Sequence, residues 1–210
     1  MNFDQIIKKL WTPDEIEPFI GSINNIDDFL SQENVLKNFP ERCYDLDRFP
    51  LHIKNNAKYS QLEVYYDLAV RSKKYSSIYM EEERKIKELF KKTWVYNSTF
   101  VYTDLSECNI RHLKKVVDPM KYECLKRLRR RLRYNKDSFI TIDKSDDLEM
   151  LVELSLREKI WVIYVFSEFK VIVWRNDLSM PIYLGNSKYK ELFQTMCTTE
   201  GLYLRNSKND

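Results

Sequence analysis

A short pattern near the end of the chain, Glu168-Phe169-Lys170, has the Glu-x-Lys spacing of many metal-dependent nucleases. Those enzymes place the pattern on a strand and add an aspartate from a neighbouring strand, so that the carboxylates hold Mg²⁺ near the lysine. Asp143, which follows a predicted strand, is the candidate partner. At the tip of a hairpin the same tripeptide is instead a solvent-facing Glu and Lys around a buried Phe169. A nuclease is therefore one alternative function.

Cys108 and His112 are four residues apart, a spacing that suits metal ligation or a nucleophile–base pair on one helix face. Zinc needs two further ligands, and Cys43 and Cys197 lie far away in the sequence. The order and spacing also match no nucleophile motif. We predict a buried cysteine beside a surface histidine, with no metal, no cofactor and no catalytic residue.

The most concentrated charge is a basic stretch: residues 111–136 hold 11 Lys and Arg against 2 acids, a net charge of +9. A predicted helix at 120–134 has leucines at helical spacing on one side, which is typical of an amphipathic helix with a solvated face. The basic face also suits an acidic partner or nucleic-acid phosphate. The candidate nucleic-acid contacts are Arg127, Arg130, Arg131 and Arg133.

An acidic stretch follows directly, because residues 137–158 hold 7 acids against Lys144 and Arg157, a net charge of −5. Two adjacent segments of opposite charge can neutralise each other in the fold, or each can face a partner. The candidate protein-binding residues are Asp143, Asp146, Asp147 and Glu149.

Composition limits the class of protein. The 210 residues include only 3 Gly and 6 Pro but 14 Tyr, 11 Phe and 4 Trp, so a glycine-rich phosphate loop and a long disordered linker are not expected. No apolar run reaches the ~18 residues that suggest a membrane helix, and the first residues lack a signal-peptide pattern. We predict a cytoplasmic protein whose four cysteines are free thiols.

The stretch at 160–184 organises the predicted fold. Residues 160–166 form an unbroken apolar run, which favours a strand covered on both faces. A second apolar run follows after Ser167-Glu168, and a third begins at Pro181. These runs predict an antiparallel meander at the centre of a sheet, with a first loop of three to five residues and with Trp161 and Trp174 in the core.

The remaining elements are helices with short strands between them. Thr12-Pro13 predicts a helix start, and further strands are expected near 49–53, 94–102 and 139–142, with an edge strand at 202–204. The predicted class is α+β, with one domain over residues 1–210. It comprises a helical N-terminal part at 1–40 and a main body at 41–210, in which the sheet packs against helices.

The order of elements resembles an uncharacterised family of small bacterial cytoplasmic proteins that includes the immunity proteins of toxin–immunity pairs. The resemblance rests on RFPLHI near Phe49, KIKELF ending at Phe90, TFVYTDL, and the C-terminal IWVIYVF, KVIVWRND and YKELF segments. Family members tend to have an Asp-Asp-Arg-Gly turn where this chain has Arg175-Asn176-Asp177-Leu178. The family implies no catalytic residues.

The resemblance implies a stoichiometric protein-binding module that binds and neutralises a cognate toxin. A surface that matches one partner is sufficient for that role, and a pocket is not needed. The alternatives are a nucleic-acid-binding protein that uses the basic helix and the metal-dependent nuclease. No membrane partner is expected, and the sequence leaves the oligomeric state open.

Overall fold

The structure is a computed structural model that describes residues 3–20, 29–134, 139–175 and 177–207. Its centre is an antiparallel sheet in the order β3-β2-β4-β5-β6-β1-β7. The strands are β1 Cys43–Asp47, β2 Thr99–Thr103, β3 Phe139–Thr141, β4 Val162–Phe166, β5 Val171–Trp174, β6 Met180–Leu184 and β7 Tyr203–Asn206. The α+β class predicted from the sequence is confirmed.

Helices cover the sheet. In the described residues they are α1 Phe3–Leu10, α2 Pro13–Ile20, α3 Gln32–Asn38, α4 Asn56–Leu62, α5 Tyr66–Arg71, α6 Lys73–Val95, α7 Ile110–Leu113, α8 Tyr122–Tyr134, α9 Ser145–Leu156 and α10 Lys190–Thr199. None of these helices is both long enough and apolar enough to cross a membrane.

The predicted meander is confirmed as β4, β5 and β6, which occupy the three central positions of the sheet. The loop between β4 and β5 has four residues, 167–170, and its last residue, Lys170, has a φ of 55°. Phe169 is buried within that loop. The hairpin therefore needs a positive φ at one residue, Lys170. A two-residue turn made of Ser167 and Glu168 would have needed a positive φ at both residues.

Side chains alternate between two cores along each central strand. Tyr164 and Val173 face the larger core, whereas Val165 and Ile172 face the smaller one. Because both faces are covered, β4 has no polar side, and this accounts for its unbroken apolar sequence.

The larger core lies under α6, α8, α9 and α10. Phe90 of α6 meets Tyr164 and Phe166 edge-on, with ring centroids 4.8 and 5.7 Å apart. This T-shaped geometry places the positive ring edge against the negative ring face.

The smaller core is formed by the N-terminal helices. Trp11, which follows α1, packs on Tyr183 of β6 with ring centroids 5.6 Å apart. The indole N–H of Trp174 donates to the carbonyl oxygen of Leu30 at 2.6 Å. At the start of α2, Thr12 N–H donates to the carboxylate of Glu15 at 2.8 Å, which is half of a capping box. The helical N-terminal part therefore serves as the second layer over the sheet.

Three predictions about the sheet are wrong in whole or in part. The strand expected at residues 94–102 begins only at Thr99, because α6 continues to Val95. No strand forms at residues 49–53; the strand lies at Cys43–Asp47, where Asp47 is paired across the sheet with Arg205 at 2.7 Å. Trp161 is 43% exposed because it precedes β4 at the end of the sheet, where its ring contacts Tyr102. Trp174, at 6% exposure, is buried as predicted.

Candidate binding site

Helix α8 carries the basic residues and is held by its buried leucines. Asp118 accepts the N–H of Met120 at 2.9 Å and so starts the turn that leads into α8. Leu125, Leu128 and Leu132 are at most 2% exposed and face the larger core. The predicted amphipathic helix is confirmed, and the remaining faces of α8 hold the charges.

One basic face of α8 is neutralised by the acidic segment. Asp147 on α9 is buried, and its carboxylate binds the guanidinium groups of both Arg127 and Arg131, the latter at 3.1 Å. The bond to Asp147 raises the pKa of Arg127 above its ordinary value. The prediction that the two segments neutralise each other is confirmed for these residues.

The other candidate protein-binding residues differ in their surroundings. Asp143 is exposed and lies 3.4 Å from Arg131, and Asp146 is exposed. Glu149 binds Lys91 of α6 at 3.0 Å. Asp147 is unable to meet a partner because it is buried, whereas contacts through the other three residues stay a prediction.

Arg129 differs from its neighbours because it is buried and no carboxylate of the described residues pairs with it. It is 6% exposed, and its guanidinium donates to the carbonyl oxygens of Cys108 and Ser106, the latter at 3.1 Å. Burial, followed by the positive charge of Arg133, lowers the pKa of Arg129 from its ordinary value. A buried cation without a counter-charge is unfavourable, since carbonyl dipoles replace only part of its hydration.

A surface cavity of about 480 Å³ adjoins Arg129 between α7 and α8. We call it the basic hollow. Its lining is Ile110, Lys126, Arg129, Arg130, Arg133 and Tyr134. Lys126 pairs with Glu123 at 2.6 Å on the surface. No carboxylate in the described part of the chain is within ion-pair distance of Arg130 or Arg133, and Tyr134 is 84% exposed. The hollow therefore has an excess of positive charge beside an aromatic ring.

The candidate nuclease residues have structural contacts. Glu168 lies in the β4–β5 loop and accepts the backbone N–H and the hydroxyl of Ser98, the latter at 2.9 Å. Burial raises the pKa of Glu168, but these hydrogen bonds outweigh it, so the net shift is downward. Glu168 therefore joins the loop to the start of β2, and no described contact brings it to Asp143.

The surroundings of Cys108 also do not favour a reactive thiolate, and no described hydrogen bond joins Cys108 to His112. Cys108 Sγ lies 3.6 Å from the carbonyl oxygen of Lys159, and burial together with Asp104 raises the pKa of the thiol to about 11. A nucleophilic cysteine has a lowered pKa instead. His112 is exposed as predicted, whereas Cys108 is only partly buried and not fully buried as expected. In the described ranges, no three His, Cys, Asp or Glu side chains are grouped as a metal site requires.

A second surface feature is the stretch 49–65, which we call the apolar segment. Leu51, Leu62 and Tyr65 are 77%, 51% and 43% exposed. Helix α4, within this segment, buries none of its residues. Arg48 contacts both ends of the apolar segment. Its guanidinium donates to the carbonyl oxygen of Leu62 and lies 4.6 Å from the centroid of the Phe49 ring.

Sequence reasoning missed part of both surfaces. The exposure of Tyr134 could have been predicted from the sequence. This residue ends the basic helix, and helical periodicity places it on the side away from the leucines, where side chains face solvent. The apolar segment has no comparable signal, since Leu51 and Leu62 look like core residues until the packing is known.

Comparison of the chain with protein-family models, with curated proteins and with solved structures finds no match.

Proposed function

We propose that this chain is a stoichiometric protein-binding module that neutralises a cognate toxin in the bacterial cytoplasm by binding it. The observation that carries the binding role is the apolar segment. The toxin as partner comes from the resemblance noted in the sequence.

The apolar segment has the composition of a protein interface. Leu51, Leu62 and Tyr65 leave apolar surface in water, and burying one such leucine in a partner is worth roughly 1.5–3 kcal/mol. Exposed Lys58 and Glu63 supply the polar rim that surrounds the apolar centre of most interfaces. Three exposed apolar side chains within one short stretch of chain are the kind of surface that a partner can cover.

The apolar segment is also held in place before binding. A seven-residue helix is unstable alone in water, yet Asn55 caps α4 by accepting the N–H of Lys58 at 3.1 Å. Phe49 and Tyr59 pack edge-on with ring centroids 6.2 Å apart. A surface that is ordered in advance loses less entropy when a partner binds, and this favours tight stoichiometric association.

The test is rescue of bacterial growth. The product of the gene directly upstream of the gene for this chain is expressed in bacteria with and without the chain. We expect growth only when the chain is present, and an equimolar complex in size-exclusion chromatography. Absence of rescue by the chain, or rescue without a complex, would contradict the proposal.

Matched variants locate the surface. Leu51→Asp with Leu62→Asp should abolish both rescue and the complex, while the melting temperature stays within about 2 °C, because exposed positions seldom affect stability. Met120→Asp is the control, since Met120 is 90% exposed and lies outside the apolar segment. Equal loss in the control would assign the effect to added charge instead of to this surface.

A further inference from the structure

We propose that the basic hollow binds a nucleoside phosphate, either as a free nucleotide or as a unit of single-stranded RNA. This site is separate from the apolar segment, so the inference does not depend on the proposed function.

The charge in the basic hollow calls for an anion. Arg129 is buried, and its hydrogen bonds go to carbonyl oxygens, which leave its positive charge in place. Arg130 and Arg133 add two cations that have no ion-pair partner in the described residues. An anion in the hollow would neutralise a buried charge that the fold leaves unbalanced.

Phosphate suits this set of cations better than a single carboxylate does. Guanidinium groups form paired hydrogen bonds to phosphate oxygens, and the basic hollow is lined by three arginines and Lys126. A phosphate group offers more oxygens and up to two negative charges, and so engages several cations together. The volume of about 480 Å³ lies in the usual range of roughly 300–1,000 Å³ for ligand sites.

The apolar members of the lining favour a base in addition to the phosphate. Tyr134 is 84% exposed beside the arginines, and Ile110 lines the same hollow. An aromatic ring next to cations is the arrangement by which proteins stack a base while holding its phosphate.

The neighbouring face of α8 argues against a long duplex footprint. Arg127 and Arg131 are engaged by Asp147 and do not extend the basic hollow into a continuous strip. Among the arginines of α8 in the described residues, those outside the Asp147 contact, Arg129, Arg130 and Arg133, all line one cavity, which matches one nucleotide or a short single strand.

Isothermal titration calorimetry of the purified chain tests the site with four probes: inorganic phosphate, ADP, a short single-stranded RNA and an oligo-glutamate peptide. We expect saturable binding of ADP, of the RNA, or of both, at millimolar concentration or below. Binding of the RNA without ADP would identify nucleic acid as the source, and binding of both would identify the nucleotide unit itself.

Three variants make the test specific. Arg130→Gln with Arg133→Gln should weaken binding at least about tenfold, and for RNA should flatten the salt dependence, since each phosphate contact of a single strand contributes about 0.7 to the slope. Tyr134→Ala should weaken ADP or RNA but not phosphate. The control, Lys37→Gln with Lys73→Gln, removes the same charge from exposed positions outside the hollow and should leave the affinity for every probe unchanged.

Several results would overturn the proposal. These are no binding of either nucleotide probe, equal losses in the control and the arginine variant, or a preference for oligo-glutamate. The last result would assign the hollow to an acidic protein segment. An unchanged affinity in Tyr134→Ala would limit the site to phosphate and contradict recognition of the base.

Discussion

Asp147 and Arg131 form an ion pair at 3.1 Å in which the Asp147 side chain is 1% exposed and the Arg131 side chain 34% exposed. The two residues connect α9 to α8, and Arg127 completes the contact from one turn earlier. The asymmetry in exposure determines what each substitution costs. When its partner is removed, a solvent-accessible arginine is rehydrated by water. A buried carboxylate is not rehydrated, so removing its partners destabilises the fold.

The arginines of α8 should therefore divide into two classes by their effect on stability. Arg127→Gln with Arg131→Gln leaves the buried Asp147 carboxylate without a counter-charge and with only the weak hydrogen bond from the Cys124 thiol at 3.2 Å, at a cost of about 2–3 kcal/mol after allowance for the partial exposure of the arginines. A fall in melting temperature of roughly 4–10 °C is expected by differential scanning calorimetry.

Arg130→Gln with Arg133→Gln is the matched control, because it removes the same charge from the basic hollow. Its melting temperature should stay within about 2 °C of the original. Equal destabilisation by both pairs would mean that the Asp147 contact does not hold α8 and α9 together. A solvated basic face, as the sequence predicts for α8, would make all of these arginines dispensable for folding, but the contacts of Asp147 limit that expectation to Arg130 and Arg133.

A second buried network should be more costly to break. Arg157 on the end of α9 lies between Glu83, at 2.9 Å, and Glu153, at 2.6 Å, and the three side chains are at most 10% exposed. Arg157→Met leaves two buried carboxylates with only their lysine partners, and we expect a loss of about 3–5 kcal/mol in chemical denaturation. Arg84→Met is the control, since Arg84 is paired on the surface with Glu81. A loss confined to the control would refute the buried network.

Stability should depend on pH through Glu158. A hydrogen bond with Asp177, followed by burial, raises the pKa of Glu158, and both residues have positive φ, 56° and 51°. A carboxyl with a raised folded pKa is stabilised by protonation, so the folded state gains stability as pH falls through that pKa and loses it as pH rises. Glu158→Gln should therefore raise the melting temperature at neutral pH and give no difference below about pH 4.

The size of this effect is limited by solvent. The Glu158 side chain is 47% exposed, so screening reduces the repulsion and a gain of about 0.5 kcal/mol is expected. The measurement is the difference in melting temperature between the two proteins across pH. A difference that grows toward acid pH would have the wrong sign for this explanation.

The sequence predicts the centre of the sheet well, because the evidence for it is local. An unbroken run such as residues 162–166 has few alternatives to a strand covered on both faces. The position of β1 was not predictable in the same way. Asp47 is tolerated there because Arg205, 158 residues away, pairs with it at 2.7 Å. The residue types at 49–53 favoured a strand at that place instead. Pro50 has no backbone N–H to donate to a neighbouring strand, so pairing there is weakened.

The basic hollow, like β1, was only partly predictable from the sequence because it depends on contacts between distant residues. The sequence locates every arginine of α8, and helical periodicity separates them from the leucine stripe. It does not show that Asp147 engages Arg127 and Arg131 and leaves Arg130 and Arg133 free, because that choice depends on how α9 packs across α8. Single-sequence reasoning can therefore identify a charged helix but not the face on which its charge remains available.

The cysteines should be reduced and slow to react in the folded protein. Burial, with help from Glu41 and Asp45, raises the pKa of Cys43 to about 12, and burial raises that of Cys197 to about 12. Since the thiolate is the reactive form, labelling near pH 8 should be much slower than for an ordinary thiol of pKa about 8.5. Titration after denaturation without reductant should count four thiols. A count of two or fewer would indicate disulfides.

The two tryptophans of the meander should respond differently to a quencher. Trp174 is 6% exposed and its indole N–H is bonded to Leu30, whereas Trp161 is 43% exposed. Acrylamide should quench one fraction of the fluorescence rapidly, and Trp161→Phe should remove that fraction while changing stability little. Trp174→Phe should leave the fraction intact and cost more stability, because it loses a buried hydrogen bond and leaves a cavity, together about 2–3 kcal/mol. Rapid quenching that survives Trp161→Phe would place the accessible tryptophan elsewhere and contradict the exposure of Trp161 at the end of the sheet.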